Sequence, residues 1–322
     1  MIKIDGVSKH VLKRTGWLKT TKLTLLKDIN IQIQKNQFVV ILGRNGSGKS
    51  TLLKCISGMI FPEEGSIKVM GIDSFKNRTK LSKNMGIMFG QKSLLFTDLR
   101  AIDYLNLLKK IYSISEDSFL EMIDLVDMFL PCKDLLDKQV RGMSYGEKMK
   151  IELLSILLHK PQLLILDEPF VGLDPSSQKN LLEFIQHYKI VYKATILLTT
   201  HQSLEVLNLA DRAIILDAGK KTYDGEVNRL LESYSNKKIV KVHWATSSDS
   251  YLTDIFDGIN VIKQTPDYLE LSVEIKKCSV EMLITFLMGQ SEIADFEIES
   301  ISIDKVVESL YEDGALLSPV VS

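Results

Sequence analysis

Residues Gly43 to Ser50 read GRNGSGKS, a glycine-rich run closed by a lysine and a hydroxyl. It follows the apolar run QFVVIL and precedes the helix-like stretch TLLKCISGM. That strand, glycine loop and helix order is what a phosphate-binding loop needs. Gly43, Gly46 and Gly48 let the backbone curl around an anion, with N–H groups of the loop, those of Asn45 and Ser47 included, pointing inward. Ser50 and Thr51 then open a helix whose positive dipole end lies under the anion. Lys49 can place a charge on terminal phosphates, and the Ser50 hydroxyl suits a Mg²⁺ ligand.

A second run, LLILDEP at 163–169, is an apolar strand that ends in two carboxylates. Alone it could equally be a buried strand with a charged exit turn. With the phosphate loop upstream, Asp167 is expected to complete a Mg²⁺ shell beside Lys49. Glu168, one residue on, is expected to polarise the attacking water as general base.

Several elements must position these groups. The pattern predicts strands at 2–7 and 23–34 around a basic loop, VLKRTGWLKTTK, and a strand at 37–42 leading into the phosphate loop. A short strand is expected in EEGSIKVMG and another at 85–90. From about 100 to 160 apolar residues recur at helical spacing (YLNLLKKIY, FLEMIDLVDMF). The runs at 162–167 and 194–199 are continuously apolar, as buried parallel strands are. A hairpin is expected at 212–224 with Ala218-Gly219 near its turn, and SYSNKK at 233–238 reads as a polar linker. Beyond it the order strand, strand pair, helix (VEMLITFLM), strand (DFEIESISI) and short helix (DKVVESLY) describes a compact α+β unit. The division expected is 1–232 for a nucleotide domain with a helical subdomain at about 98–160, 239–312 for the small unit, and 313–322 for a frayed tail.

Composition narrows the field. The 322 residues are 45% hydrophobic and 25% charged, as in a folded globular protein. Forty basic against 41 acidic side chains leave a net charge of −1, so no global basic field exists to hold nucleic acid. The three cysteines lack metal-ligand spacing and suit a reducing compartment. MIKIDGVSK does not read as a signal peptide, and no apolar run approaches the roughly 20 residues a membrane helix needs. If the protein works at a membrane, another chain is expected to span it.

LLILDEP, then Gly172-Leu173-Asp174, then TTH ending at His201, together resemble the ATPase subunit of an ABC transporter. The resemblance implies an α/β P-loop NTPase fold of the ABC type, with a mixed sheet core, N-terminal antiparallel strands and a helical subdomain. It implies ATP with Mg²⁺ as cofactor. Asp174 falls at the family's D-loop aspartate, His201 at its switch histidine, and Gln91, in MGIMFGQKS, at its Q-loop glutamine, a further Mg²⁺ contact. The stretch Met143-Ser144-Tyr145-Gly146-Glu147 corresponds to the signature commonly written LSGGQ, with Tyr145 and Glu147 departing from it. Ser144 and Gly146 are then the positions that contact the γ-phosphate held by the opposite subunit. The aromatic that usually stacks on adenine is missing after VSK; His10 or Trp17 could take its place.

The resemblance is strongest over residues 1–230, and in MFGQKSLLFTDLRAIDYL and SYGEKMKIELLSILLHKPQLLILDEP it is closest to exporters of drugs, antibiotics and polysaccharides. The C-terminal unit is similar to the small domain appended to those ATPases; it could cover a face, aid dimerisation or regulate. The resemblance further implies a dimer around two MgATP, of two identical chains or of relatives. That dimer would be coupled to transmembrane permease subunits at the cytoplasmic face of the membrane. The alternatives are an ABC ATPase acting on a soluble macromolecular partner and a nucleotide-binding regulator without turnover.

Overall fold

The computed structural model describes residues 1–14, 20–90, 93–200, 204–235, 237–245 and 257–300. The elements run β1 (Ile2–Arg14), β2 (Thr20–Ile33), β3 (Phe38–Leu42), α1 (Lys49–Ile56), β4 (Glu64–Val69), β5 (Ile72–Asp73), α2 (Arg78–Ser82) and β6 (Met85–Phe89). Then come α3 (Ala101–Ile111), α4 (Glu116–Phe129), two short 3₁₀ turns, α5 (Tyr145–Leu157), β7 (Leu163–Asp167), α6 (Pro175–Tyr192), β8 (Thr195–Thr199) and α7 (Leu204–Leu209). The chain closes with β9 (Arg212–Asp217), β10 (Lys220–Glu226), α8 (Val227–Ser235), β11 (Lys237–Trp244), β12 (Ile259–Thr265), β13 (Tyr268–Glu274), α9 (Val280–Gln290) and β14 (Ile293–Ser300).

The first compact unit ends at Gly225, and a second begins at Glu226. In the first, six strands lie in the order β10-β9-β3-β8-β7-β6. The pairs β9/β3, β3/β8, β8/β7 and β7/β6 are all parallel. Every residue of β3, β7 and β8 is buried, which explains their unbroken apolar sequence: both faces are covered, so no face can be polar. A second sheet, β2-β1-β4-β5, is antiparallel. The helix α1 shares one apolar core with both sheets through Leu52, Leu53, Cys55 and Ile56. Truncating Leu52, Leu53 or Ile56 to alanine would cost about 2–5 kcal/mol, so the helix below the phosphate loop is firmly seated. The helices α3, α4 and α5 form the helical block expected between the two nucleotide motifs.

In the second unit four antiparallel strands run β12-β13-β11-β14. One face buries Val240, Val242, Leu269, Leu271 and Val273 against Leu283, Ile284 and Leu287 of α9. The short helix expected at DKVVESLY lies outside the described residues, as does the tail.

Two expectations need correction. The basic segment is mostly strand, not loop: β1 runs to Arg14 and β2 starts at Thr20, with His10 opposite Thr24 and Arg14 opposite Thr20. Backbone pairing sustains this ribbon although side chains such as Leu12 and Leu23 are exposed. Likewise, 233–235 are not linker but the last turn of α8, and β11 begins at Lys237. Val227 and Leu230 give α8 a buried face, which outweighs the polar content of its end. No helix among the described residues is long and apolar enough to cross a membrane.

Candidate functional site

The phosphate loop leaves β3 and enters α1 at Gly48, whose φ of 107° no ordinary side chain adopts easily. A Cβ there would lie 2.6 Å from the Leu25 carbonyl oxygen, so glycine is required twice over. The turn between β9 and β10 props the loop: Gly219 N–H donates to the Ser47 carbonyl (3.0 Å), and the Gly219 carbonyl accepts from Lys27 N–H (2.8 Å). Among the described residues no side chain caps α1, and its first turn carries no acid. The first four amides of a helix have no partner within it, so this end is open to an anion.

Lys49, 6% exposed, curls over the loop and donates from Nζ to the Gly43 carbonyl at 2.6 Å. The Ser47 hydroxyl is buried and finds no partner among the described residues. A buried hydroxyl is normally bonded, so a ligand bringing acceptors into this loop would satisfy it. The loop therefore fits a phosphate chain on its own structure, not only on its sequence.

Strand order brings the carboxylates to this loop. β7 is separated from β3 only by β8, and both end on the same side because they run parallel. Asp167 ends β7, 5% exposed, and accepts from the Thr199 hydroxyl at 2.6 Å. Glu168 holds its backbone N–H on the Thr199 carbonyl (3.1 Å) and hydroxyl (3.0 Å). Its carboxylate lies 3.5 Å from Lys49 Nζ, which joins the two sequence motifs in one site. A carboxylate partly open to solvent beside a buried ammonium can hold and orient a water next to a phosphate. Among the described residues no three His, Cys, Asp or Glu side chains gather around a metal position. Mg²⁺ commonly takes one or two protein oxygens and the phosphates instead, a donor set that Ser50 and Asp167 fit.

The other expected residues divide. Gln91 and His201 lie outside the described residues, as does Trp17. His10 lies in β1 and donates its backbone N–H to Glu63 (2.9 Å). Asp174 is the N-cap of α6: it accepts from the Ser177 hydroxyl (2.6 Å) and from Ser177 N–H (3.0 Å), which holds its pKa below the usual carboxylate range. Ser144 is the N-cap of α5 and Gly146 lies in its first turn, with Ser144 exposed.

Glu147 has a role that sequence reasoning missed. Ser144 accepts from Glu147 N–H (3.3 Å), and Glu147 accepts from Ser144 N–H (2.7 Å), a reciprocal capping box. Lys138 also donates to Glu147 at 2.9 Å, and this bond, with the one from Ser144, holds the carboxyl down at about 2. The S-x-x-E spacing at a helix start is the signal that marks it. Tyr145 is more than a departure from the common signature. Its ring reaches Gly172, and its hydroxyl donates to the Gly90 carbonyl at 3.1 Å.

Comparison with known proteins places the chain among ABC transporter ATP-binding proteins. The sequence pattern of the family described as ABC transporter matches residues 26–171, from before the phosphate loop to past Glu168. The chain is 32% identical over 208 residues to the ABC transporter ATP-binding protein NatA of Bacillus subtilis, covering 65% of this chain and 84% of NatA. It is 28% identical over 288 residues to the linearmycin resistance ATP-binding protein LnrL of the same organism, covering 88% of this chain and 91% of LnrL. Energy-coupling factor transporter ATP-binding proteins are also among its relatives. Among solved structures, cbiO1 of Clostridium perfringens, described as part of the ABC transporter complex cbiONQ, superposes with a TM-score of 0.60 at 25% identity, covering 72% of this chain and 90% of cbiO1.

Proposed function

The chain belongs to the ATP-binding proteins of ABC transporters, ATPases that work with transmembrane components, and on that premise we propose that it is the ATP-hydrolysing subunit of an exporter. Two copies close head to tail around two MgATP. Lys49, Ser50, Thr51 and the amides of Gly43, Asn45, Gly46, Ser47 and Gly48 hold the phosphates. Ser50, Gln91 and Asp167 supply the Mg²⁺ oxygens, and Mg²⁺ when bound neutralises developing charge on the phosphates. Glu168 takes the proton from the attacking water, and His201 faces the γ-phosphate. Ser144, Gly146 and Asp174 act across the dimer on the partner's nucleotide. Closure on ATP and reopening after hydrolysis move a permease subunit at the cytoplasmic face of the membrane.

The observation that carries this reading is the 3.5 Å approach of Glu168 to Lys49, beside the buried, hydroxyl-bonded Asp167. Leu94 and Phe96, exposed just beyond Gln91, support a protein partner on the helical side. The export direction is supported by LnrL, whose match is longer than the first unit and so includes part of the second. The energy-coupling factor relatives favour a second reading, the same ATPase cycle serving another transporter class.

Glu168→Gln should lower steady-state ATP turnover by about 10²–10⁴, the usual contribution of a general base, with ATP binding retained. Wild-type turnover in that variant sinks the assignment of the base. Tagged protein isolated from detergent-solubilised native membranes should bring with it a multi-spanning subunit; a soluble partner instead would point to the non-transport alternative.

A further inference from the structure

Of the side chains that contact the site without a role in its chemistry, Tyr145 stands out. It sits between Ser144 and Gly146, the two residues that face the partner's nucleotide in the proposed dimer. Its side chain points back into its own subunit. The phenol donates to the Gly90 carbonyl (3.1 Å), and Gly90 N–H in turn donates to the Asp167 carbonyl (3.0 Å). Gly90 is thus bracketed, with the signature loop on one side and the end of β7 on the other. The ring of Tyr145 also lies flush on Gly172, where a Cβ would come within 2.9 Å of two ring carbons. Gly172 follows Glu168 by one tight turn, in which Val171 N–H donates to the Glu168 carbonyl (3.3 Å). Tyr145, Gly90, Glu168, Pro169 and Glu152 line a small cavity of about 50 Å³, so there is room for the ring to shift.

A glycine at position 145, as in the common signature, could make none of these contacts. We propose that Tyr145 is a positioning residue that couples the two composite ATP sites within one subunit. When the partner's ATP draws on Ser144 and Gly146, the tyrosine between them carries the displacement to Gly90 and to the segment holding Asp167 and Glu168. Occupancy of one site then sets the carboxylate geometry of the other. The link is made of one hydrogen bond and one ring contact, each of which has two arrangements, made or broken. The inference rests on the head-to-tail dimer of the proposed function.

The test is the ATP dependence of steady-state hydrolysis by the full-length chain, alongside the mass of the Glu168→Gln protein with ATP. The wild type should show a Hill coefficient above one. Tyr145→Phe keeps the ring and loses the bond to Gly90. It should bring the coefficient toward one and lower kcat about 3- to 10-fold, the effect of one neutral hydrogen bond, with little change in half-saturation. A wild-type coefficient retained in Tyr145→Phe overturns the proposal, as does a dimeric wild type without cooperativity. If Glu168→Gln stays monomeric with ATP, the dimer reading itself falls, and the inference with it.

A second measurement guards against a merely structural effect. Gly172→Ala should lower turnover several-fold more in the wild type than in Tyr145→Gly, where no ring opposes the new methyl. Equal losses in both backgrounds would show that the ring contact carries nothing.

Discussion

Two helix starts in this chain are built in opposite ways. The start of α1 has glycine at its cap, no side-chain cap among the described residues, and a lysine at its first position. The start of α5 is closed by Ser144 and Glu147, so a carboxylate already sits at its positive end and a hydroxyl on one of its amides. The first is ready for an anion at any time. The second already carries a carboxylate, held on the Ser144 amide, so an arriving anion meets a like charge there. The open start can therefore hold an anion with its own amides, whereas the start of α5 sets a carboxylate against one.

Four substitutions probe the contrast between the open and the closed start. Lys49→Met removes the charge buried in the open start, and should weaken ATP binding roughly 10- to 100-fold, the range of a hydrogen bond to a charged group. Isothermal titration in Mg²⁺ measures it, and unchanged affinity would show that the loop grips by its amides alone. Gly48→Ala forces a side chain against the Leu25 carbonyl at a φ of 107°, costing about 1–3 kcal/mol of stability. A melting curve checks it, and an unshifted midpoint would mean that the loop relaxes freely. Ser144→Ala opens the closed start and should cost about 1 kcal/mol in chemical denaturation.

The smallest effect is the most telling. Glu147→Gln keeps a cap acceptor but removes the charge that opposes an incoming phosphate. Half-saturating ATP for hydrolysis should fall about two- to fivefold, and more at low salt. No change would mean that the closed start does not face the nucleotide. The same variant has a pH signature. The Glu147 carboxyl is held down at about 2 from an ordinary 4.5, so it contributes stability above 4.5 that is lost as pH falls toward 2. The glutamine variant should lose that part of the acid sensitivity, which thermal melts from pH 6 to pH 3 would show.

Much of the site is legible in the sequence because its motifs are contiguous. GRNGSGKS works through its own backbone, and LLILDEP is a buried strand with its carboxylates at the tip; both need only their neighbours in sequence. The S-x-x-E box at Ser144 is written just as locally, but the family signature that overlies it hides the ordinary helix start beneath. The extent of the β1–β2 hairpin is not legible, since its polar residues pair through backbone and give no apolar alternation. The last turn of α8 is hidden in the same way, its polar end masking a helix held by Val227 and Leu230.

The chemistry of this protein is written in its sequence: a phosphate loop, a strand tipped with two carboxylates, and the family to which they belong. Which groups meet is a matter of tertiary structure. Lys49 and Glu168 come within 3.5 Å only because β8 lies between two parallel strands that end at one level. Tyr145 reaches Gly90 and Gly172 because the start of α5 packs beside the ends of β6 and β7. A sequence states which donors and acceptors a chain carries. Distances across a sheet depend on strand order and register, which arise only when the apolar faces of the whole unit are buried together.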